Sequence, residues 1–282
     1  MEILKIETAP GVFTQTYWHK GGDKLVLWHH GTPAPRPMSP YMLEVFTKHG
    51  YSVAAPVRQG YAGSTVVGPR PIAEDAKVTE AVVNHLGFDE FVSIGYSGGG
   101  PRCLADLALV ANCVSGIAFA PMVPTNLEEF NPLANAPEEE QKVFEIVRAW
   151  APDLKERFLK WKDEFLSEDP MAALANADDD LKAWMESPDA KFRFAQREIA
   201  FESGVEGWML DEYSMLTPYG FDVGTIAKPL QIISGDKDVN VDVSASIWLN
   251  GKVKGSELVI YPGFGHSRVF ALDTIDAALA KL

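Results

Sequence analysis

Cysteine is scarce in this 282-residue chain, which has two in all, Cys103 and Cys113. An apolar stretch separates them and no second pair lies nearby, so the sequence holds neither a disulfide framework nor a cysteine metal cage. Both are expected as buried thiols. Positive charge is also in short supply, since 25 Lys and Arg face 39 Asp and Glu for a formal net charge of −14. That sign opposes phosphate backbones and anionic lipid, so neither nucleic acid nor a membrane surface is an expected partner. Long hydrophobic runs are missing too, because no stretch reaches the ~18 uncharged apolar residues of a membrane span. The opening Met1-Glu2-Ile3-Leu4-Lys5 lacks the basic start and apolar stretch of a signal peptide. A cytoplasmic, reducing location is the expectation.

What is present is ordinary for a folded domain. Hydrophobic residues make up 46% and charged residues 23%, which rules out disorder and allows a sizeable core. The length admits two small domains or one large α/β domain with an insertion. Short apolar runs at 24–30, 51–56, 90–96, 114–120, 229–234 and 257–261 each stop at a turn-rich loop and predict strands. Between them, segments 38–49, 71–87, 100–111, 242–250 and 267–281 repeat apolar residues at helical spacing. Such alternation predicts a mainly parallel sheet with helices on both faces.

The alternation breaks between about Pro124 and Glu212, where aromatic residues lie on helix-like patterns. The expected division is a core of residues 1–123 and 213–282 with a helical insertion at 124–212. The insertion holds 22 of the 39 acidic and 10 of the 25 basic side chains, so most of the negative charge is there. Its clusters Glu138-Glu139-Glu140 and Asp178-Asp179-Asp180 are read as solvated helix starts and turns.

The sharpest motif is Gly95-Tyr96-Ser97-Gly98-Gly99, which fits G-x-S-x-G, follows a predicted strand and opens a predicted helix. So tight a turn leaves no room for a Cβ around the serine and exposes its hydroxyl at the carboxyl edge of the sheet. Ser97 is the candidate nucleophile, and the N–H of Gly98, at the helix start, is a candidate oxyanion donor. A serine needs a base, usually histidine. Of six histidines, only His266 follows the last predicted strand in a loop at the edge that carries Ser97; His19 lies early, His49 and His85 end helices, and His29 and His30 end a strand. A carboxylate must then orient the imidazole, and Gly235-Asp236-Lys237-Asp238 follows the strand at 230–234 with two aspartates in position.

The order serine, aspartate, histidine is that of an α/β-hydrolase triad. The chain resembles the α/β-hydrolase family over nearly all its length outside the insertion. The resemblance rests on His30-Gly31-Thr32-Pro33, Arg58-Gln59-Gly60-Tyr61-Ala62-Gly63-Ser64, the Ser97 elbow, and Gly235-x-x-Asp238 followed by Gly265-His266. It implies Asp238 rather than Asp236 as the acid, the backbone N–H of Thr32 beside that of Gly98 as the oxyanion hole, and a helical cap at 124–212. His30 then shapes the loop. Trp150, Phe158, Trp161, Phe165 and Trp184 either line an apolar pocket over Ser97, with the three tryptophans as the candidate pocket residues, or hold the cap helices together. Val57, Gln59 and Ala62 depart from the usual Asp, Pro and Gly of the second motif. Arg102 and Cys103, just past the elbow, carry no assigned chemistry, and Arg102 is expected at the surface or as a cap.

The implied activity is that of a serine esterase acting on a small apolar ester, with a small-molecule substrate and neither metal nor organic cofactor. Other activities on the same triad are a C–C bond hydrolase, a cofactor-free perhydrolase, and a peptidase similar to proline iminopeptidases, although the extended oxyanion loop and tryptophan-containing elbow of the last are absent. A non-enzymatic or slow-turnover small-ligand receptor is the alternative of another class.

Overall fold

In the third strand of the molecule, Leu25 and Leu27 face one core while Val26 and Trp28 face another. A strand buried on both sides needs cover on both sides. The computed structural model, which describes residues 1–125, 127, 129–133, 136–168 and 179–282, supplies that cover. Helices α2 (Ala73–Leu86), α3 (Gly100–Leu109) and α9 (Val243–Lys252) bring Val82, Leu104 and Leu249 to the first core. Helices α1 (Pro40–Lys48) and α10 (Leu272–Leu279) bring Phe46 and Ile275 to the second.

The sheet has eight strands in the order β1-β2-β4-β3-β5-β6-β7-β8. The parallel part comprises β3 (Lys24–His29), β4 (Tyr51–Pro56), β5 (Phe91–Tyr96), β6 (Cys113–Phe119), β7 (Leu230–Gly235) and β8 (Glu257–Tyr261). Each matches an apolar run to within a residue or so. The strands β1 (Glu2–Ala9) and β2 (Val12–His19) form an antiparallel hairpin at one edge, which the sequence reading passed over. Its signal is the Pro10-Gly11 turn, where Gly11 takes φ 74°. The expected last helix begins late, as a 3-10 turn at Arg268–Phe270 ahead of α10.

Between β6 and β7 the described residues hold helices and no strand: α4 (Glu138–Arg148), α5 (Leu154–Ser167), α6 (Asp179–Glu186), α7 (Pro188–Ala195) and α8 (Glu206–Leu216). Helix α8 runs through position 212, so the end drawn for the insertion falls inside a helix. Glu138, Glu139 and Glu140 occupy the exposed first turn of α4, where carboxylates suit the positive end of the helix dipole. Helix α6 opens at Asp179, and Asp178 lies outside the described residues. Cys103 and Cys113 are buried free thiols. Among the described residues no helix is long and apolar enough to cross a membrane, and no group of three metal-ligating side chains occurs.

Candidate active site

The loops after β3, β5, β7 and β8 leave the carboxyl ends of parallel strands, the edge where α/β sheets bind ligands. Ser97 follows β5 directly with φ 54°, in the left-handed region. Such a conformation costs a non-glycine residue about 1–3 kcal/mol and persists only where its surroundings enforce it. The enforcement is visible at Gly95, where a Cβ would stand 2.3 Å from the carbonyl oxygen of Gly99. A 3-10 turn, Ser97–Gly99, then leads into α3.

Asp238, on the loop after β7, is buried. Its Oδ1 accepts from the N–H groups of Asn240 and Val241, both at 2.9 Å. Its Oδ2 lies 2.7 Å from His266 Nδ1. The two amides fix the carboxylate, which in turn fixes the imidazole. Tyr96 packs its ring 5.0 Å from that of His266 and donates its hydroxyl to the His266 carbonyl at 3.3 Å. Burial pushes the Tyr96 phenol up to about 12, so it stays neutral. Asp236 is exposed and accepts from the N–H of Gly263 at 2.7 Å, bracing the loop that carries His266 rather than the ring itself.

Thr32, on the loop after β3, meets the elbow at Gly98, where a Cβ would come within 2.4 Å of Thr32 Oγ1. No turn or loop hydrogen bond among the described residues consumes the N–H of either Thr32 or Gly98. His30 Nδ1 lies 2.8 Å from the Gly31 carbonyl, and burial together with Arg58 holds this imidazole well below its usual range, so it stays neutral. The ring therefore serves the loop as a hydrogen-bonding group.

Ser97, Gly98, Thr32 and His266 border one cleft of about 530 Å³. Its apolar wall comes from Met122, Leu133, Phe144, Phe165, Phe194 and Met215. Trp150, Trp161 and Trp184 are not part of that wall among the described residues. Trp150 packs edge-on against Tyr213, and Trp161 against Phe158, within the core of the helical segment. Trp184 packs with Met185, Ala190 and Phe194 and lines a smaller cavity that shares Tyr96 and Phe194 with the cleft. Of the aromatics noted in the insertion, Phe165 alone reaches the cleft, joined there by Phe144 and Phe194.

Two features went unforeseen. Arg102, expected at the surface or as a cap, is 2% exposed, because its guanidinium is consumed by protein groups. It donates to the Gly98 carbonyl at 2.8 Å, to Ser214 Oγ at 2.6 Å and to Asp75 at 3.0 Å. Arg58 and Asp211 complete a buried ion cluster with it. Burial alone would raise the Asp211 carboxyl, but Arg58 and Arg102 hold it below the ordinary carboxylate range. The second is Glu212, a cleft carboxyl that accepts from Trp208 Nε1 at 3.0 Å and that burial pushes up to about 7.

A mainly parallel eight-stranded sheet with a serine on the strained turn after β5 defines the α/β-hydrolase class. The alpha/beta hydrolase fold family matches residues 24–270, and the chain belongs to it. Similar solved structures include an alpha/beta hydrolase fold protein from Nakamurella multipartita, at 18% identity and TM-score 0.71, covering 99% of this chain and 98% of that one. A thermophilic esterase from Thermogutta terrifontis, with malate bound, is similar at 19% identity and TM-score 0.71, covering 100% and 97%. An esterase from Exiguobacterium antarcticum is similar at 15% identity and TM-score 0.72, covering 98% of each chain. The comparison with curated protein sequences gave no significant match.

Proposed function

We propose that the protein is a serine hydrolase cleaving a small ester through an acyl-enzyme, with Ser97, His266 and Asp238 as the triad. One observation carries this reading: Ser97, His266, Thr32 and Gly98 border the same cleft while Asp238 is hydrogen bonded to the far side of the imidazole. The esterases among its structural neighbours and the apolar wall support an ester with an apolar body.

Ser97 Oγ attacks the carbonyl carbon and its proton passes to His266 Nε2. Asp238, bonded to Nδ1, selects the tautomer with a free Nε2 and stabilises the imidazolium. The carbonyl oxygen takes up the negative charge and is met by the N–H groups of Thr32 and Gly98; losing one such donor costs about 2.7–4 kcal/mol. Collapse expels the alcohol, which takes the proton from His266. Water then repeats the cycle, releasing the acid and restoring Ser97. The chemistry requires neither metal nor organic cofactor. The helical segment over the cleft acts as a cap that excludes water and selects the acyl part.

The test is multiple-turnover hydrolysis of p-nitrophenyl esters of increasing acyl length, with Ser97→Ala and His266→Ala proteins in parallel. Activity in the wild type and its loss in both variants are expected, since the triad acts as a unit. Activity retained in either variant overturns the assignment.

A further inference from the structure

Arg36 lies in the run Pro33-Ala34-Pro35-Arg36-Pro37, whose prolines stiffen the loop after β3. Its N–H donates to the Ala34 carbonyl at 2.9 Å, and its side chain borders the Ser97 cleft. Among the described residues its guanidinium has no hydrogen-bond or ion-pair partner. Burial, reinforced by the charge of Arg193, pulls it down to about 10. Arg36 is half-buried, and although Asp189 is near enough to favour its charge, no carboxylate pairs with it directly, a costly arrangement for a protein to keep.

Behind Arg36 lies a cavity of about 70 Å³, several times the volume a single water needs. It shares Gly31, Ala34, Arg36, Tyr96, Phe194 and Ser267 with the wall of the Ser97 cleft. Arg193, on α7, faces it as well. This second guanidinium pairs with Asp189, donates Nη1 to the Phe270 carbonyl at 2.8 Å and lies over the Phe270 ring at 4.6 Å. Its Nε is buried with no hydrogen-bond partner among the described residues. Asp189 also accepts from the Ser39 hydroxyl, so one carboxylate, already engaged, stands against two guanidinium groups. The local balance is positive in a chain whose net charge is −14.

We propose that this cavity is the acyl-end subsite of the Ser97 cleft and takes a carboxylate, so that the preferred substrates are esters whose acyl part ends in a second, free carboxylate. The inference rests on the hydrolase reading above and names its substrate class. Arg36 presents a planar fork that fits a carboxylate through two parallel hydrogen bonds. Ala34, Tyr96 and Phe194, which line both the cleft and the cavity, take the methylene chain. A neutral acyl chain would bury its end against a bare cation and gain nothing from it.

Two arms test it. In the first, kcat/KM is measured by proton release for monomethyl esters of the C4 to C8 dicarboxylic acids and for methyl esters of the matching monocarboxylic acids. The wild type should prefer the charged ester by about tenfold or more at its best chain length, and Arg36→Gln should lower that ratio by about tenfold. Equal rates for charged and neutral esters at every length overturn the proposal. In the second, adipate at constant ionic strength should raise the Tm of the Ser97→Ala protein with the logarithm of its concentration, an effect Arg36→Gln removes. If Arg36→Gln does not fold, Arg36→Lys, which keeps the charge and loses the fork, should still lower the ratio. A shift with adipate but no preference among esters marks a site for free anions and overturns the substrate assignment. Hydrolysis retained by Ser97→Ala defeats the hydrolase reading separately, while the Tm arm still decides whether the cavity binds a carboxylate.

Discussion

Arg58 and Asp211 form a fork-to-fork pair, with Nε to Oδ1 and Nη2 to Oδ2 both at 2.6 Å. One partner lies on the loop after β4 and the other on α8, and both are buried. The same guanidinium donates to the carbonyls of His30 at 2.6 Å and Gly31 at 3.1 Å, while Thr32 Oγ1 donates to Asp211 Oδ2 at 2.9 Å. Three consecutive residues of the proposed oxyanion loop are thus held by one ion pair. Arg102 extends the cluster to the Gly98 carbonyl, so both proposed N–H donors are positioned from the same charges.

Removing the carboxylate should therefore damage stability and catalysis together. Asp211→Asn keeps the shape but leaves Arg58 buried without its paired carboxylate and Arg102 with Asp75 alone, a loss of about 3–5 kcal/mol. Thermal unfolding should read a fall in Tm of roughly 10 °C. Because the oxyanion loop is loosened rather than the pocket emptied, kcat should fall more than KM rises. A variant with wild-type Tm and kcat would show that the pair positions nothing.

The two aspartates after β7 differ in what they touch. Asp238 holds His266 Nδ1 at 2.7 Å, whereas Asp236 holds the N–H of Gly263. Asp238→Asn should lower kcat by roughly 10⁴, as expected when an amide leaves the imidazole in the wrong tautomer. Asp236→Asn should cost less than about tenfold, since the replacement keeps an oxygen acceptor for Gly263. Equal losses in steady-state kinetics would undo the assignment of the acid.

The strand-end motifs were legible because each couples an apolar run to a turn whose chemistry is local, as in Gly95-Tyr96-Ser97-Gly98-Gly99. The β1–β2 hairpin was missed because an edge strand bearing Glu2, Lys5 and Glu7 buries little and shows no long apolar run. The contact between Arg102 and Asp211 joins positions 109 residues apart, and no local pattern announces it. The sidedness of the tryptophans was hidden for a different reason. Helical spacing marks Trp150 and Trp161 as one face of a helix, yet whether that face meets sibling helices or the cleft depends on how the segment docks.

That placement can be read in substrate preference. Trp150 and Trp161 are half-buried against the helical core, so Trp161→Ala should lower Tm, by less than the about 3–5 kcal/mol that truncating a fully buried aromatic costs, without altering the order of preference among acyl lengths. Phe144 and Phe165 border the cleft, and Phe144→Ala should shift the preferred p-nitrophenyl ester toward longer acyl chains. A changed profile in Trp161→Ala together with an unchanged one in Phe144→Ala would reverse the assignment of the two walls.

Glu212 makes stability depend on pH near neutrality. Its carboxyl keeps a proton up to about 7 in the folded chain, against an ordinary value of 4.5. Between those values the folded state binds more protons than the unfolded one, so this group's contribution to stability falls as pH rises from about 4.5 to 7 and stays reduced above. Glu212→Gln cannot ionise and keeps an oxygen for Trp208 Nε1, so it avoids the loss. The variant should match the wild type near pH 4 and exceed it by roughly 1–3 kcal/mol at pH 8, a Tm gap of several degrees. Parallel Tm profiles for the two proteins across this range would mean that Glu212 ionises freely and that the cleft around it is wetter than its walls imply.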